Sequence, residues 1–467
     1  MTRRELRKSI STLTRISILL FALSFSLLAQ GKNPVILVPG LTGSELRDKT
    51  THDRIWFKTF KSKSEDLRLP ILADPSKMHD NLDATDVLRS VKIGIFPITD
   101  VYGGFVKAMM SRGGYHEESW DTPSEDGFED SIYLFAYDWR LDNVENARLL
   151  IHKVEALKRK FKKPHLKFDI VAHSMGGIIS RYAVMYGDAD LPAAGRKPRP
   201  TWAGAHLFNK IILMGTPNEG SIKSLDTLLN GFAIGGIRID LPFMLDTSRF
   251  TVFTIPAAYE LLPAPGTLRA FDDQLKPVPV DLYDSKVWTK YGWNVIDDKA
   301  FASEFTPAEQ KAAPVYFAAV LDRAKRLHEA LTAAAGKSGD VKFYILGADC
   351  RTAIDSFLIF KDNGSDKWKT LFRPKGFVRA DGVKVTDDEL TAIMQAPGDG
   401  VVTRRSLEAT TQSNTSGHRS VIGSESSKFF CEEHNRLATN ARIQDYIISV
   451  LKKKSSSDDD DDTDTSK

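Results

Sequence analysis

Cysteine residues and long apolar runs are both scarce in this chain of 467 residues. Only Cys350 and Cys431 occur, and neither lies in a metal-ligand spacing, so the sequence predicts no structural zinc and no other metal site. The apolar run near the N-terminus, Ile16 to Ala29, is shorter than the roughly 20 residues that a helix needs to cross a bilayer. No internal repeat is evident. These absences argue against a zinc-stabilised fold, an uncleaved membrane anchor and a repeat architecture.

The N-terminal apolar run follows a basic segment, whose charged residues are Arg3, Arg4, Arg7, Lys8 and Arg15. Because a basic segment before a short apolar run is typical of a secretory signal, we predict a signal peptide over residues 1–29. Cleavage is expected near Ala29, with export to the periplasm or the medium. With Glu5 the segment has a net charge of +4, so the rest of the chain is near −1 and no nucleic-acid partner is predicted. The sequence does not indicate an oligomeric state.

The segment around Ser174 has the pattern of a strand, a sharp turn and a helix. A short β-rich apolar run over 168–171 precedes the serine, and apolar residues recur at helical spacing over 178–185. Ala172 and Gly176 are the small residues that such a turn needs two positions before and two after the serine. Glycine is usual at the first of these positions, and Ala172 adds one methyl group. The pattern predicts a nucleophile elbow with Ser174 as the catalytic nucleophile.

A serine nucleophile needs a histidine base and a carboxylate that orients the base. In α/β-hydrolases these follow the serine in the order acid, then histidine. Asp399, in a glycine-containing loop, and Asp349, directly after a strand-like run, are both candidates for the acid. His434 precedes an amphipathic helix and is predicted to be the base, whereas His418 lies in a polar loop that is predicted to be at the surface. His173 is predicted to be a packing or hydrogen-bonding neighbour of the nucleophile.

The same chemistry needs two backbone donors for the tetrahedral intermediate, and loss of one costs on the order of 10²-fold or more in rate. The amide of Met175, directly after the nucleophile, is the expected first donor. A predicted strand over 34–38 runs into a glycine-rich turn over 39–43, which is the expected source of the second donor. We predict that the oxyanion hole consists of the Leu41 and Met175 amides.

Six motifs of this chain occur in the order seen in the lecithin:cholesterol acyltransferase family. They are the run 34–46 (PVILVPGLTGSEL), Tyr137–Leu141 (YDWRL), the serine elbow, Gly215–Gly220 (GTPNEG), Tyr259–Pro263 (YELLP) and Gly398–Val402 (GDGVV). Six motifs in order are more specific than any one of them. The chain therefore resembles this family of phospholipases and acyltransferases over residues 34–450.

The resemblance implies an α/β fold: an α/β-hydrolase core with a mostly parallel central sheet, plus inserted helical cap and lid regions. It implies Ser174 as nucleophile, Asp399 rather than Asp349 as acid, and His434 as base, with Leu41 and Met175 as oxyanion donors. No cofactor is needed for this chemistry. The chain has no cysteine between 44 and 100, where some animal members close a lid with a disulfide, so that lid structure is not transferred.

The implied function is that of a serine-dependent lipid acyl hydrolase or O-acyltransferase. The expected partners are a lipid ester at a membrane or lipid surface and, for transfer, an alcohol or lysolipid acceptor. The sequence does not choose between hydrolysis and transfer. Two alternatives stay open, namely a carboxylesterase for small esters and a catalytically silent lipid-binding protein of this fold.

The chain is predicted to divide into a core, two insertions and a tail. The predicted units are the hydrolase core over 30–217 and 341–451, a lid or membrane-contact insertion over 47–100, a cap over 218–340 and a disordered acidic tail over 452–467. In the insertion, Trp56 and Phe57 are candidates for lid or membrane contacts. In the cap, we predict a helix from Pro314 to Ala335.

Two further expectations concern the cap aromatics and the cysteines. Trp288, Tyr291 and Trp293 either contact lipid or, as holds for most such residues, pack the core of the cap. Cys350 ends the strand before the acid loop, and Cys431 lies three residues before His434. In an exported protein such a pair suggests a disulfide that holds the histidine loop.

Overall fold

The structure is a computed structural model that describes residues 32–58, 67–93, 96–124, 129–233, 246–333, 339–361, 366–411, 419–420 and 422–453. The predicted signal peptide, the predicted tail beyond residue 453 and His418 lie outside these residues. Within the described ranges, no helix combines the length and apolar character needed to cross a membrane.

A parallel sheet of seven strands forms the centre of the fold. In chain order the strands are β1 (Val35–Val38), β2 (His116–Glu118), β3 (Ser131–Leu134), β4 (Phe168–His173), β5 (Phe208–Met214), β6 (Lys342–Ala348) and β7 (Ser426–Phe430). Their order across the sheet is β7-β6-β5-β4-β1-β3-β2, and all neighbours are parallel. The inner strands are apolar and buried along their length, as expected when helices cover both faces. The predicted α/β class is confirmed.

Helices pack on both faces of the sheet or build the insertions. They are α1 (Gly103–Ser111), α2 (Asn143–Phe161), α3 (Met175–Tyr186), α4 (Ile222–Asn230), α5 (Arg249–Phe253), α6 (Pro256–Tyr259), α7 (Ser285–Lys290), α8 (Phe301–Glu304), α9 (Pro307–Thr332), α10 (Asp387–Met394), α11 (Arg404–Glu408) and α12 (Ala441–Leu451). Alternate residues of β1 face opposite sides of the sheet. Ile36 and Val38 pack in the core on the side of α2 and α3. Val35 and Leu37 pack in the core on the side of α1 and α12.

Short strands and single-turn helices complete the insertions and connections. The antiparallel groups are Ser44–Asp48 with Arg54–Trp56 and Leu82–Val87, Ser90–Ile93 with Phe96–Asp100, Phe232–Ala233 with Asp246–Thr247, Phe357–Lys361 with Trp368–Leu371, Arg351–Ile354 with Gln395–Gly398, Phe377–Val378 with Lys384–Val385, and Thr410–Thr411 with Arg419–Ser420. Ala270–Phe271 pairs in parallel with Phe357–Lys361. The 3₁₀ turns are Pro75–Lys77, Ala205–Leu207, Val295–Asp297 and His434–Thr439.

The insertion after β1 packs inward at the position where the sequence suggested lid or membrane contacts. Trp56 is 1% exposed and Phe57 is 6% exposed, and the ring centroid of Trp56 lies 5.1 Å from that of Trp139. The buried guanidinium of Arg140 joins this insertion to the core, because it pairs with Asp80 as well as with its neighbour Asp138. The prediction for Trp56 and Phe57 is therefore wrong, since both side chains are part of the core.

The main helix of the predicted cap segment starts earlier than the sequence suggested. Helix α9 begins at Pro307, because Thr306 and Glu309 form a capping box in which each side chain bonds the backbone of the other. Pro314, the predicted start, lies within the helix. The aromatics Trp288, Tyr291 and Trp293 are buried and pack against one another and against Phe317. All three side chains are therefore part of a buried aromatic cluster and do not form an exposed lipid contact.

Candidate active site

The candidate site lies at the carboxyl edge of the sheet, where β1 and β4 end side by side. Val38 pairs with Ala172, and the chain turns at Ser174 directly into α3. Ser174 has φ 53° and ψ −124°, a conformation that is rare for residues with a side chain and typical of a nucleophile elbow. Its amide donates to the carbonyl of Met214 at 2.8 Å, which ties the turn to the end of β5.

Small residues allow the elbow to approach β1 closely. A Cβ atom on Gly176 would lie 2.4 Å from the carbonyl oxygen of Val38 and 2.5 Å from that of Pro39. On Gly40, a Cβ atom would lie 2.9 Å from the Cβ of Ser174. Ala172 is fully buried within β4, so the fold accommodates its additional methyl group. The turn after β1 and the nucleophile are therefore in direct contact.

Hydrogen bonds join the three side chains that the sequence predicts as a triad. The Nε2 atom of His434 lies 2.9 Å from the Oγ of Ser174, and its Nδ1 lies 2.7 Å from Oδ2 of Asp399. The His434 amide also donates to the Asp399 carbonyl at 2.9 Å. Ser174 and His434 are partly accessible, whereas Asp399 is buried. The arrangement can pass a proton from the serine hydroxyl to an imidazole that a carboxylate orients.

Asp399 is held in its charged form by its surroundings. Burial raises the pKa of this carboxyl group, but the charge and hydrogen bond of His434 and the amides of Val401 and Val402 outweigh burial and lower it below the ordinary value. Those amides donate to Oδ1 at 3.0 and 2.7 Å. The alternative acid, Asp349, is instead paired with Arg404 at 3.0 Å. The geometry therefore brings Asp399, and not Asp349, to the histidine.

The two predicted oxyanion donors are the residue that follows the nucleophile and a residue of the turn after β1. Met175 is the first residue of α3, and Leu41 lies in a turn closed by a 3.0 Å hydrogen bond from the Gly43 amide to the Gly40 carbonyl. Among the hydrogen bonds of the described residues, none has the Leu41 or Met175 amide as its donor. Both amides are thus available to an oxygen atom bound at Ser174.

His173 has a bridging position beside the triad. Its Nε2 lies 3.1 Å from the carbonyl oxygen of His434, which can only accept, so Nε2 carries the proton. Its Nδ1 lies 2.8 Å from the hydroxyl of Tyr102. Burial, together with the nearby charge of His434, lowers the pKa of His173 to about 3, so the ring is neutral. His173 is a hydrogen-bonding neighbour of the triad.

The two cysteines lie at the same edge of the sheet, beyond β6 and β7. The structure joins Cys350 to Cys431 by a disulfide, and both residues are exposed. The bridge closes a segment that contains Asp399 and ends just before His434. It therefore restrains the approach of the acid and the base to each other.

This arrangement of sheet, elbow and carboxyl-edge site defines an α/β-hydrolase. The family model of lecithin:cholesterol acyltransferase matches residues 122–303, which include the elbow and three further motifs described above. The resemblance predicted from the motifs is thereby confirmed over these residues, on a chain with the α/β-hydrolase fold.

The chain is also similar to the following known structures and protein. A chain of the Tle4–Tli4 complex aligns with a TM-score of 0.52 and 16% identity, covering 90% of this chain and 98% of that chain. The mature lipase BlEst2 of Bacillus licheniformis aligns with a TM-score of 0.34 and 12% identity, over 90% of this chain and 93% of that chain. The uncharacterized protein YJR098C of Saccharomyces cerevisiae is 24% identical over 263 residues, 55% of this chain. The chain spans only 33% of the length of that yeast protein.

Proposed function

We propose that this protein is a serine-dependent acyl hydrolase or O-acyltransferase that cleaves carboxylic esters of lipids through an acyl-enzyme on Ser174. The observation that carries the proposal is the continuous hydrogen-bonded chain from Ser174 through His434 to Asp399, with separations of 2.9 and 2.7 Å. The similarity to the lecithin:cholesterol acyltransferase family over residues 122–303 supports a lipid ester as the substrate.

The first half-reaction forms the acyl-enzyme. The Ser174 oxygen attacks the ester carbonyl carbon while Nε2 of His434 takes the hydroxyl proton, and Asp399 stabilises the imidazolium through Nδ1. The negative charge that develops on the carbonyl oxygen is stabilised by the Leu41 and Met175 amides. As the tetrahedral intermediate collapses, the bond to the leaving alcohol breaks and His434 returns the proton to that alcohol.

The second half-reaction decides between the two activities. His434 deprotonates the incoming hydroxyl group, which attacks the acyl carbon, and Ser174 leaves with the proton that His434 returns. Water as the nucleophile yields a free fatty acid, whereas an alcohol or a lysolipid yields a new ester. The same site therefore serves either activity, and the acceptor that reaches it determines the product.

The test is an assay of purified protein with phospholipid vesicles, with and without a long-chain alcohol. Both free fatty acid and acylated alcohol are measured, and Ser174→Ala is run in parallel. Serine-dependent fatty acid alone identifies a hydrolase, and serine-dependent transfer of label to the alcohol identifies an acyltransferase. Cleavage of short esters without any serine-dependent product from phospholipid would contradict the lipid assignment and identify a carboxylesterase.

We also propose that the protein acts after export, with residues 1–29 removed and residues 218–340 forming the cap over the site. The basic and apolar character of the first 29 residues supports this proposal. Mass spectrometry of the protein recovered from the periplasm or medium should find an N-terminus near Gln30. Recovery of an uncleaved chain from the cytoplasm would contradict it.

A further inference from the structure

Three peptide groups of the turn after β1 are each bonded to a buried aromatic side chain. The hydroxyl of Tyr137 donates to the Pro39 carbonyl at 2.7 Å, and the Gly40 amide donates to the hydroxyl of Tyr102 at 2.9 Å. The indole of Trp56 donates to the Thr42 carbonyl at 2.9 Å. These three aromatics together are named the aromatic clamp. They leave the amide between them, that of Leu41, without a protein acceptor among the described hydrogen bonds.

The clamp fixes a turn that would otherwise have several conformations. Thr42 has φ 64°, a left-handed conformation that a β-branched residue adopts only when its surroundings impose it. The bond from Trp56 to the Thr42 carbonyl supplies part of that restraint. Because Tyr102 accepts the Gly40 proton, the direction of the following peptide, which carries the Leu41 amide, is also constrained.

The clamp residues are nearly inaccessible, with exposures of 1% for Trp56, 2% for Tyr102 and 1% for Tyr137. Burial raises the pKa of both tyrosine hydroxyls, so both remain protonated donors. Tyr102 donates its proton to Nδ1 of His173, whose other nitrogen donates to the His434 carbonyl. One hydrogen-bonded chain therefore runs from the turn, through Tyr102 and His173, to the backbone of the catalytic histidine.

Two clamp residues lie within or directly after the insertion that follows β1. Trp56 ends the strand Arg54–Trp56, and Tyr102 follows the strand Phe96–Asp100 and precedes α1. Tyr137 belongs to the core, just after β3. The insertion thus contacts the turn through Trp56, and the segment that connects the insertion to α1 contacts the turn through Tyr102.

We propose that Trp56, Tyr102 and Tyr137 are positioning residues that hold the Leu41 amide toward the oxyanion of the tetrahedral intermediate. None of the three touches the reacting atoms. Each acts through a peptide group of the turn, and the insertion after β1 thereby contributes to transition-state stabilisation. The inference rests on the proposed function, because it assumes that an oxyanion forms at Ser174.

The experiment compares Tyr102→Phe and Tyr137→Phe with a matched control. Tyr316→Phe removes a buried tyrosine hydroxyl that donates to the Phe253 carbonyl at 2.8 Å, within the cap. Each variant is assayed with the soluble ester 4-nitrophenyl butyrate, and thermal unfolding is recorded for each. Inhibition by an alkyl trifluoromethyl ketone is also measured, because its adduct with the serine carries an oxyanion.

We expect Tyr102→Phe and Tyr137→Phe to lower kcat by about 10- to 100-fold, because a displaced oxyanion donor weakens transition-state binding. KM should stay near the wild-type value, and the inhibition constant of the ketone should rise by a similar factor as kcat/KM falls. Tyr316→Phe should lower the melting temperature by a comparable amount and leave kcat and the inhibition constant unchanged.

Wild-type kcat and ketone affinity in both clamp variants would overturn the inference and leave a purely structural role for these side chains. If either tyrosine variant fails to fold, Trp56→Phe decides by the same measurements, since it removes only the donor to Thr42 and keeps an aromatic ring. Ser174→Ala distinguishes failure of the proposed function from failure of the inference about the clamp. Full turnover by that variant would overturn the proposed function itself, whereas loss of turnover leaves the clamp to be judged by its own variants.

Discussion

Ser174 has a backbone conformation that suits glycine better than serine. Its φ of 53° and ψ of −124° are imposed by the turn between β4 and α3. Holding a residue with a Cβ atom in such a region costs on the order of 1–3 kcal/mol. We therefore expect Ser174→Gly to be more stable than Ser174→Ala by about 1 kcal/mol, although neither can form an acyl-enzyme. Urea unfolding of the two variants measures this difference, and equal stabilities would show that the elbow stores no such strain.

Asp399 and Asp349 offer a direct comparison of two carboxylates. Asp399→Asn keeps the size of the side chain but removes the charge that orients and stabilises His434. We expect kcat to fall by about 10³- to 10⁴-fold with little change in KM. Asp349→Asn, whose carboxylate pairs with Arg404, should leave kcat unchanged. Steady-state kinetics with a soluble ester measure both, and equal losses in the two variants would contradict the assignment of the acid.

Local sequence patterns predict much of the site, whereas the remaining residues are positioned by contacts between distant parts of the chain. The elbow motif and the order of acid and histidine predicted which three side chains would meet. Tyr102 has no such motif, because its role depends on contacts with Gly40 and His173 that lie 62 and 71 residues away. The prediction that Trp56 makes a lid or membrane contact is wrong for a related reason. The local sequence around an aromatic residue in an insertion does not show whether its side chain faces the core.

At the scale of elements, the contact of α3 with β1 depends on Gly176. A methyl group there would lie 2.4 Å from the Val38 carbonyl oxygen. We expect Gly176→Ala to push the helix away from the strand, to destabilise the fold by about 1–3 kcal/mol and to lower kcat through displacement of the Met175 amide. Thermal unfolding and ester hydrolysis measure the two effects. Wild-type values for both would mean that the elbow can shift without consequence for the site.

The disulfide joins the ends of β6 and β7, whose termini lead to the acid and the base. Its sequence separation is 81 residues, and a loop of that size predicts a contribution of about 4 kcal/mol to the free energy of unfolding. We expect the double variant Cys350→Ser/Cys431→Ser to have a lower melting temperature and a lower kcat. Reduced wild-type protein should behave in the same way, because both sulfurs are exposed. A reductant that changes neither quantity would contradict this role.

The sequence predicts the existence of elements better than their ends. The central strand before Ser174 was expected from its apolar residues, and it extends to His173. The sequence predicts a cap helix from Pro314, but the Thr306–Glu309 capping box starts the helix at Pro307. A proline in the sequence is thus weaker evidence for a helix start than a reciprocal pair of capping side chains.

For the molecule as a whole, buried histidines link stability to pH. Burial lowers the pKa of His328 from 6.5 to about 4, and the charge of Arg181 acts in the same direction. Between these values the unfolded chain binds a proton that the folded protein does not. Stability is therefore lost as the pH falls from about 6.5 toward 4, by at most about 1.4 kcal/mol per pH unit for this group.

We expect His328→Gln to remove this contribution, so that its free energy of unfolding falls less steeply than that of the wild type over this range. Urea unfolding at several pH values from 7 to 4 measures the difference. His206→Gln, at an exposed position, is the control and should keep the wild-type dependence. Parallel pH dependences for His328→Gln and the wild type would show that His328 does not titrate differently on folding.

The order of strands across the sheet is the part of the fold that composition and periodicity do not provide. Strands β1 and β4 are neighbours although more than a hundred residues separate them, and only the resemblance to a known family indicated such an arrangement. Apolar runs predict that strands are buried, but their pairing depends on packing of the whole chain. The class of fold was therefore accessible through recognised motifs, and not through local propensity alone.

The bridge between Cys350 and Cys431 also gives the protein a dependence on its redox surroundings. The nucleophile elbow is built from β4, α3 and β1 and contains no cysteine, whereas the segment that carries the acid and leads to the base is closed by the bridge. In a reducing compartment, where thiols persist, the nucleophile elbow would keep its geometry while the segment that carries the acid and leads to the base would lose its covalent closure. The rate of ester cleavage would then report the redox state of the surroundings, and it would be lower wherever the two exposed thiols stay reduced.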